Sequence, residues 1–143
     1  DTRPNRTNYW TCGTSAALWS DVYAYNGTIV TSDLTKKNSV IYGLDAYDGF
    51  FDRLKAISFL FNEGTAGRRH TGLGAQHVEQ ALIDSGLTSM DFAGFIKSPR
   101  RDETGQVIEG GYDYALRYSE FVALLIDQVQ KLKNRVKELE ANV

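Results

Sequence analysis

The sequence is poor in cysteine, proline and histidine, with one, two and two copies respectively among 143 residues. Cys12 stands alone and cannot form a disulfide within the chain, which excludes a disulfide-stabilised scaffold. No apolar run approaches the roughly 20 residues that a membrane-spanning helix needs. The formal net charge of −2 leaves no broad attraction to nucleic acid. We therefore expect a protein that has neither a membrane nor a nucleic acid as its partner.

Signatures of metal and cofactor chemistry are also missing. The two histidines, His70 and His77, and the single cysteine do not follow a metal-ligand spacing. Arg68-Arg69-His70 precedes two glycines but lacks the Gly-Lys-Ser/Thr ending of a phosphate-binding loop. The Gly-x-Ser-x-Gly turn of many serine hydrolases is absent. We predict no metal and no cofactor, while a serine could still meet His70 or His77 in the folded chain.

The C-terminal stretch carries an apolar residue at alternating spacings of four and three. The members of this repeat are Leu125, Val129, Leu132, Val136, Leu139 and Val143. Such a heptad repeat predicts one helix over residues 119–143, with an apolar seam that packs against a partner helix. The mixture of valine and leucine does not fix the number of strands. The alternative is a single amphipathic helix that packs on its own domain.

The first 31 residues are polar and rich in threonine, asparagine, glycine and serine. Within them, Ala17–Tyr25 and Thr28–Thr31 are rich in aromatic and β-branched residues and flank Asn26-Gly27, which predicts a β-hairpin. A two-stranded hairpin is marginally stable alone. We therefore expect this region to pack on other copies of itself, or else to form the edge hairpin of one domain.

Residues 32–118 predict a small α+β globular part. Helices are expected over 48–56, with Asp48 as the N-cap, and over 75–84, where Val78, Ala81 and Leu82 form one apolar face. Strands are expected over 58–61, 69–74, 91–96 and 112–117, with a loop or hairpin tip over 98–111. The chain as a whole is predicted to be α+β, with an N-terminal hairpin, a globular part and a long C-terminal helix.

One candidate for catalysis is a serine five residues before a lysine, Ser32 and Lys37. A serine hydroxyl is a weak nucleophile until a base removes its proton, and a lysine amine is such a base when burial keeps it neutral. Ser-Lys pairs are a known variant of the serine protease arrangement. The spacing alone carries little weight, because it occurs by chance in most proteins and a turn with solvated lysines also explains it.

Four motifs in a fixed order give this pair a context. They are Trp19-Ser20-Asp21-Val22-Tyr23 with Gly27-Thr28-Ile29-Val30, then Thr31-Ser32-Asp33-Leu34-Thr35-Lys36-Lys37, then Phe59 with Arg69–Glu79, and last Tyr114–Phe121 before the terminal helix. Over residues 17–143 the chain resembles the C-terminal intramolecular chaperone domain of phage tailspikes, endosialidases, neck-appendage proteins and tail fibres. Thr35 stands where that family usually has arginine, and residues 45–52 replace its short connection to the first helix.

The resemblance implies a homotrimer that folds at the end of a β-structured fibre, aligns its three chains and then removes itself by cleavage. Ser32 would attack the carbonyl carbon of Thr31, with Lys37 as the base, and the bond between Thr31 and Ser32 would be cut. Residues 1–31 would be the C-terminal end of the mature fibre, and residues 32–143 the chaperone, with its coiled coil over 119–143. The trimer interface would be formed by Leu125, Val129, Leu132, Val136 and Leu139.

The resemblance also implies a virion protein, the precursor of a phage tail fibre or tailspike that folds in the cytoplasm of its bacterial host. Its partners would be two further copies and the upstream fibre of the same polypeptide. As an enzyme it would be an autocatalytic serine peptidase that cuts once. Two alternatives stay open, which are a non-cleaving trimerisation or receptor-binding tip of a viral fibre, and an unrelated coiled-coil adaptor.

Overall fold

The computed structural model describes residues 4–143, apart from the side chain of Thr65. It divides into two compact units, one with the described residues up to Thr31 and Ser98–Asp113, the other with Ser32–Lys97 and Tyr114–Val143. The helices and strands are α1 (Asp48–Asp52), β1 (Ile57–Phe59), β2 (His70–Gly72), α2 (Ala75–Asp84), β3 (Phe95–Arg101), β4 (Val107–Leu116) and α3 (Glu120–Ala141). The fold is α+β, with two small two-stranded sheets and one long C-terminal helix, as the sequence predicted.

The core of the second unit is a cluster of apolar side chains from α1, α2 and α3, from the segment before β3 and from the first residue of β3. Its members are Phe50, Val78, Ala81, Leu82, Phe92, Phe95, Phe121 and Leu124. The rings of Phe50 and Phe121 each lie 5.0 Å from the ring of Phe92, centroid to centroid. These contacts anchor the first turns of α3 in the globular part.

Helix α2 spans Ala75–Asp84, and its predicted apolar face is buried. Helix α1 is shorter than predicted and ends at Asp52. The prediction of Asp48 as an N-cap is wrong, because Tyr47 holds that position and the Asp48 carboxylate accepts a hydrogen bond from Lys131 Nζ instead.

Strands β1 and β2 form the predicted antiparallel pair, in the register Ile57 with Gly72, Ser58 with Thr71 and Phe59 with His70. The guanidinium of Arg69 extends this pairing across the strands, because its Nε donates to Ser58 Oγ (3.0 Å) and its Nη2 donates to the Ser58 carbonyl (3.1 Å). The pair is therefore held by side-chain as well as backbone hydrogen bonds.

The predicted β-hairpin of residues 17–31 does not form in the single chain. Within residues 4–31 the structure has one isolated bridge, between Thr14 and Ala17, and no strand. The side chains of Trp19, Tyr23 and Ile29 are exposed by 68%, 96% and 95%. Two strands are marginal without a further strand or helix to cover their apolar face, and the single chain supplies no such cover here.

The strand predicted over 91–96 begins later, at Phe95, because Asp91 closes a turn. Its Oδ2 accepts hydrogen bonds from the backbone N–H (2.7 Å) and the hydroxyl (3.1 Å) of Thr88. Residues 98–111 were predicted as a loop or a hairpin tip, and the structure shows the latter, because β3 and β4 pair in one sheet. At the tip, Asp102 Oδ1 accepts hydrogen bonds from the backbone N–H groups of Thr104 and Gln106. No helix within residues 4–143 is both long and apolar enough to cross a membrane.

Candidate functional site

Ser32 and Lys37 lie at the two ends of a tight turn. Asp33 caps a 3₁₀ helix over Leu34–Lys36, and the backbone N–H of Lys37 donates to the carbonyl of Leu34 (3.1 Å). The turn brings the side chain of Lys37 back over Ser32, and Lys37 Nζ donates to Ser32 Oγ at 2.9 Å. The structure thus brings together the two residues that the sequence predicted as nucleophile and base.

Both members of this pair are exposed in the single chain. A lysine nitrogen accepts a proton from a hydroxyl only in its neutral form, and burial favours that form. Once neutral, the same nitrogen could accept the hydroxyl proton across the same 2.9 Å. The single chain therefore supplies the distance that proton transfer needs, and burial of the amine would supply the neutral state.

Asp33 and Thr35 hold the turn in shape. Asp33 Oδ1 accepts hydrogen bonds from the Thr35 backbone N–H (2.9 Å) and from the Thr35 hydroxyl (2.7 Å). The hydroxyl is the main reason why the pKa of Asp33 lies below its ordinary value, and the backbone N–H adds to it. Thr35, which replaces the arginine usual in the family motif, is therefore a partner of Asp33. The sequence signal for this contact is an aspartate two residues before a threonine, which is typical of a side-chain-closed turn.

His70, which the sequence left open as a partner for a serine, packs among aromatic rings. Its ring stacks on Phe59 at 5.7 Å and meets Phe61 edge-on at 4.9 Å, both between centroids. Its Nε2 is buried and has no hydrogen-bond partner in the described part of the chain. The described structure therefore does not pair this nitrogen with a serine hydroxyl.

The predicted seam residues share one face of α3. They are Leu125, Val129, Leu132, Val136 and Leu139, and each is exposed by 50–63%. The face turned to the core carries Phe121 and Leu124, exposed by only 7% and 5%. Residues 132–143 are exposed throughout. The helix thus packs on its own domain through its first turns, while its seam residues stay half-exposed or more in the described part of the chain.

Lys131 anchors α3 to the start of α1 and to the segment just before it, a contact that the sequence did not predict. Its Nζ lies 2.8 Å from Asp45, 2.6 Å from Asp48 and 2.8 Å from Asp127, and Gln128 also donates to Asp48. Carboxylate oxygens of the three aspartates lie within 4.8 Å of one another, and the cation among them is the lysine ammonium. Hydrogen bonds to Asp127, Asp45 and Asp48 raise the pKa of Lys131, and the bond from Lys131 lowers the pKa of Asp48.

Two of the family-like motifs meet at Tyr118. Its hydroxyl accepts from the backbone N–H of Leu73 (3.1 Å) and donates to the Leu73 carbonyl (3.3 Å). A Cβ atom on Gly72 would lie 2.5 Å from this hydroxyl oxygen. Gly72 is thus a position where only a hydrogen leaves room for the tyrosine that leads into α3.

No protein-family model and no curated protein matches the chain. Solved structures do match, and the fold they share with the chain is that of intramolecular chaperone domains. One is the carboxy-terminal domain of the bacteriophage T5 L-shaped tail fibre with its intramolecular chaperone domain, with a TM-score of 0.65 and 21% identity over 98% of this chain. A second is described as a novel intramolecular chaperone, with a TM-score of 0.57 and 22% identity over 72% of this chain and 99% of its own.

The chain spans 38% of the length of the tail-fibre structure that it matches. At 21% and 22% identity these likenesses concern the fold. The resemblance that the ordered motifs suggested is confirmed at that level.

Proposed function

We propose that the chain is a self-cleaving intramolecular chaperone at the end of a phage tail fibre or tailspike. It trimerises, aligns the three fibre chains, and is released by cleavage between Thr31 and Ser32. The observation that carries this proposal is the hydrogen bond of 2.9 Å from Lys37 Nζ to Ser32 Oγ, in a turn directly after Thr31. The shared fold with a tail-fibre chaperone domain supports it.

In the proposed reaction, Lys37 Nζ takes the hydroxyl proton while Ser32 Oγ attacks the carbonyl carbon of Thr31. The bond from that carbon to the Ser32 nitrogen breaks, and Lys37 passes the proton to the departing nitrogen. The product is an ester between Thr31 and the Ser32 side chain. Water then hydrolyses the ester and leaves a carboxylate on Thr31 and a free amine and hydroxyl on Ser32. The reaction therefore needs no reactant other than the chain itself and water.

The exposed seam supports the assembly step. Three copies of α3 would cover the half-exposed leucines and valines of the seam, as heptad residues do in a coiled coil. Interwound β-trimers form non-local pairings and fold slowly, because loop closure costs entropy before contacts form. A C-terminal coiled coil raises the effective concentration of the three fibre chains for one another. Cleavage afterwards makes assembly irreversible and gives kinetic stability.

Assembly would also control the chemistry. Because Ser32 and Lys37 are exposed in the single chain, their activation requires burial by other parts of a trimer. The same exposure favours the second candidate, a non-cleaving trimerisation or receptor-binding tip, if assembly leaves the amine in water. The two candidates differ in one observable, a fragment that begins at Ser32.

Mass spectrometry of the freshly expressed chain tests the proposal. We expect the parent to yield a fragment beginning at Ser32, whereas Ser32→Ala and Lys37→Ala remain intact with fold and assembly unchanged. Lys36→Ala is the matched control, because Lys36 is a neighbouring exposed lysine at the wrong offset, and it should still be cut. An intact parent that is nonetheless a trimer would favour the non-cleaving tip. If Lys36→Ala blocks cleavage and Lys37→Ala does not, Lys37 is not the base.

A further inference from the structure

An apolar groove opens beside the first two turns of α3. Its volume is about 760 Å³. The residues that define it are Leu54, Ile57 and Leu73 on the globular side and Phe121, Val122 and Leu125 on the helix. Leu125 is the first of the predicted seam residues, and Val122 lies one step of the repeat before it; they are exposed by 51% and 54%. The groove is therefore continuous with the seam, and a helix that covers the seam passes directly over it.

The heptad repeat identifies which residue of a neighbouring helix reaches the groove. With Leu125, Leu132 and Leu139 at position d, Val122 lies at a, Phe121 at the flanking position g and Ile126 at the flanking position e. In parallel helices, a g residue lies beside the e residue found five positions further along the neighbouring chain. Phe121 and the Ile126 of a neighbouring chain stand in this relation.

Ile126 differs from the later flanking residues of the helix. Its side chain is apolar and 53% exposed in the single chain. The flanking residues that follow are polar or charged: Gln128, Lys133, Arg135 and Glu140. The apolar flank is thus confined to the level of the groove, where the neighbouring surface is also apolar.

We infer that the groove is a docking site for a second copy of this chain, and that Ile126 of each protomer inserts beside Phe121 of the next. This inference rests on the proposed trimer and names a contact that the seam alone does not contain. The groove exists only when α1, β1 and β2 are folded against α3, since these elements supply its walls. A protomer with an unfolded globular part could then offer its seam but not its groove, and assembly would favour chains that have already folded.

The first experiment compares Ile126→Asp with Ile83→Asp in the full chain by sedimentation over a range of concentrations. Ile83 is a matched control, because it is an isoleucine exposed by 59% at the end of α2. Burial of a charge in the apolar groove should raise the half-dissociation concentration of Ile126→Asp by more than about tenfold, whereas Ile83→Asp should associate like the parent. Ile126→Leu keeps an apolar side chain and should also associate like the parent.

The second experiment locates the contact. Ala56 is small, exposed and lines the groove. In a Cys12→Ser background, Ala56→Cys with Ile126→Cys should give covalent dimers and trimers with a short bismaleimide, whereas Ala56→Cys with Ile83→Cys should give single chains. A parent trimer that Ile126→Asp leaves intact, or cross-links found only within single chains, would overturn the inference while leaving the trimer in place. A parent that is monomeric at all concentrations would overturn the proposed trimer, and the inference with it.

Discussion

Replacement of Gly72 by alanine tests the contact that joins β2 to the start of α3. A Cβ atom there would lie 2.5 Å from the Tyr118 hydroxyl oxygen and 3.3 Å from the ring carbon that bears it. The Tyr118 side chain is 51% exposed, so it can swing outward. The variant then loses the two hydrogen bonds between the tyrosine hydroxyl and Leu73.

We expect Gly72→Ala to lower the free energy of unfolding by about 1–3 kcal/mol, which combines overpacking with lost hydrogen bonds. Tyr118→Phe, which removes only the hydroxyl, should cost about 1 kcal/mol. In the Tyr118→Phe background the alanine no longer meets an oxygen, and its cost should fall below about 1 kcal/mol. Gly111→Ala is the control, because it also lies in a strand but a Cβ there meets nothing closer than 3.4 Å.

Urea denaturation followed by circular dichroism measures all four variants, at one protein concentration because association shifts apparent stability. The decisive quantity is the coupling energy between residues 72 and 118. Residues that share a contact couple by roughly 0.5–3 kcal/mol, whereas independent residues add. If the double variant costs the sum of the two single variants, the tyrosine hydroxyl is not what the glycine accommodates, and the reasoning is refuted.

Three further predictions concern assembly, its link to chemistry and pH. Leu132→Asp should abolish the trimer in light scattering, because it buries three like charges in one layer of the seam, while Ile83→Asp should not; a monodisperse parent monomer would contradict the proposed assembly. The same Leu132→Asp chain should fail to release the fragment beginning at Ser32, because the proposed site needs burial within the trimer. Equal cleavage by the monomeric variant would show that assembly does not activate the site. Lys131→Met should lower the urea midpoint at neutral pH, and this deficit should shrink below about pH 4. The reason is that the pKa of Asp48 is lowered in the folded chain by its bond from Lys131. The stability that this bond gives is therefore present above the ordinary aspartate pKa and is lost as pH falls through the lowered pKa. A deficit that is unchanged at low pH would mean that the ion pairs do not cause it.

The sequence predicts well those features that depend on local periodicity. Helix α2 matched its predicted bounds, because one apolar face at helical spacing is enough to define a short buried helix. The exposed seam of α3 followed from its heptads in the same way. The proximity of Ser32 to Lys37 is also local, since a single turn spans the five residues between them.

Contacts between residues that are distant in the sequence could not be predicted in this way. The local pattern around Asp48 predicts a helix cap, whereas its partner in the structure, Lys131, lies 83 residues further along the chain. The aromatic residues after Asp91 predict a strand from that position. The local sequence does not indicate that Asp91 instead forms a turn with Thr88. The hairpin around Trp19 does not form, for a different reason. Its residues suit a strand, but strand propensity depends on side-chain packing, and these side chains are exposed in the single chain.

Residues 132–143 at the end of α3 are exposed, so their helix content should depend on protein concentration. Isolated helices shorter than about 12–15 residues are marginal in water, so in the proposed trimer these last turns would gain stability from a neighbouring seam. In that assembly, helix formation there and association of the chains would be coupled. The helical circular-dichroism signal should therefore rise with protein concentration. Three chains held together by one growing fibre would complete these last helical turns earlier than free chains in dilute solution.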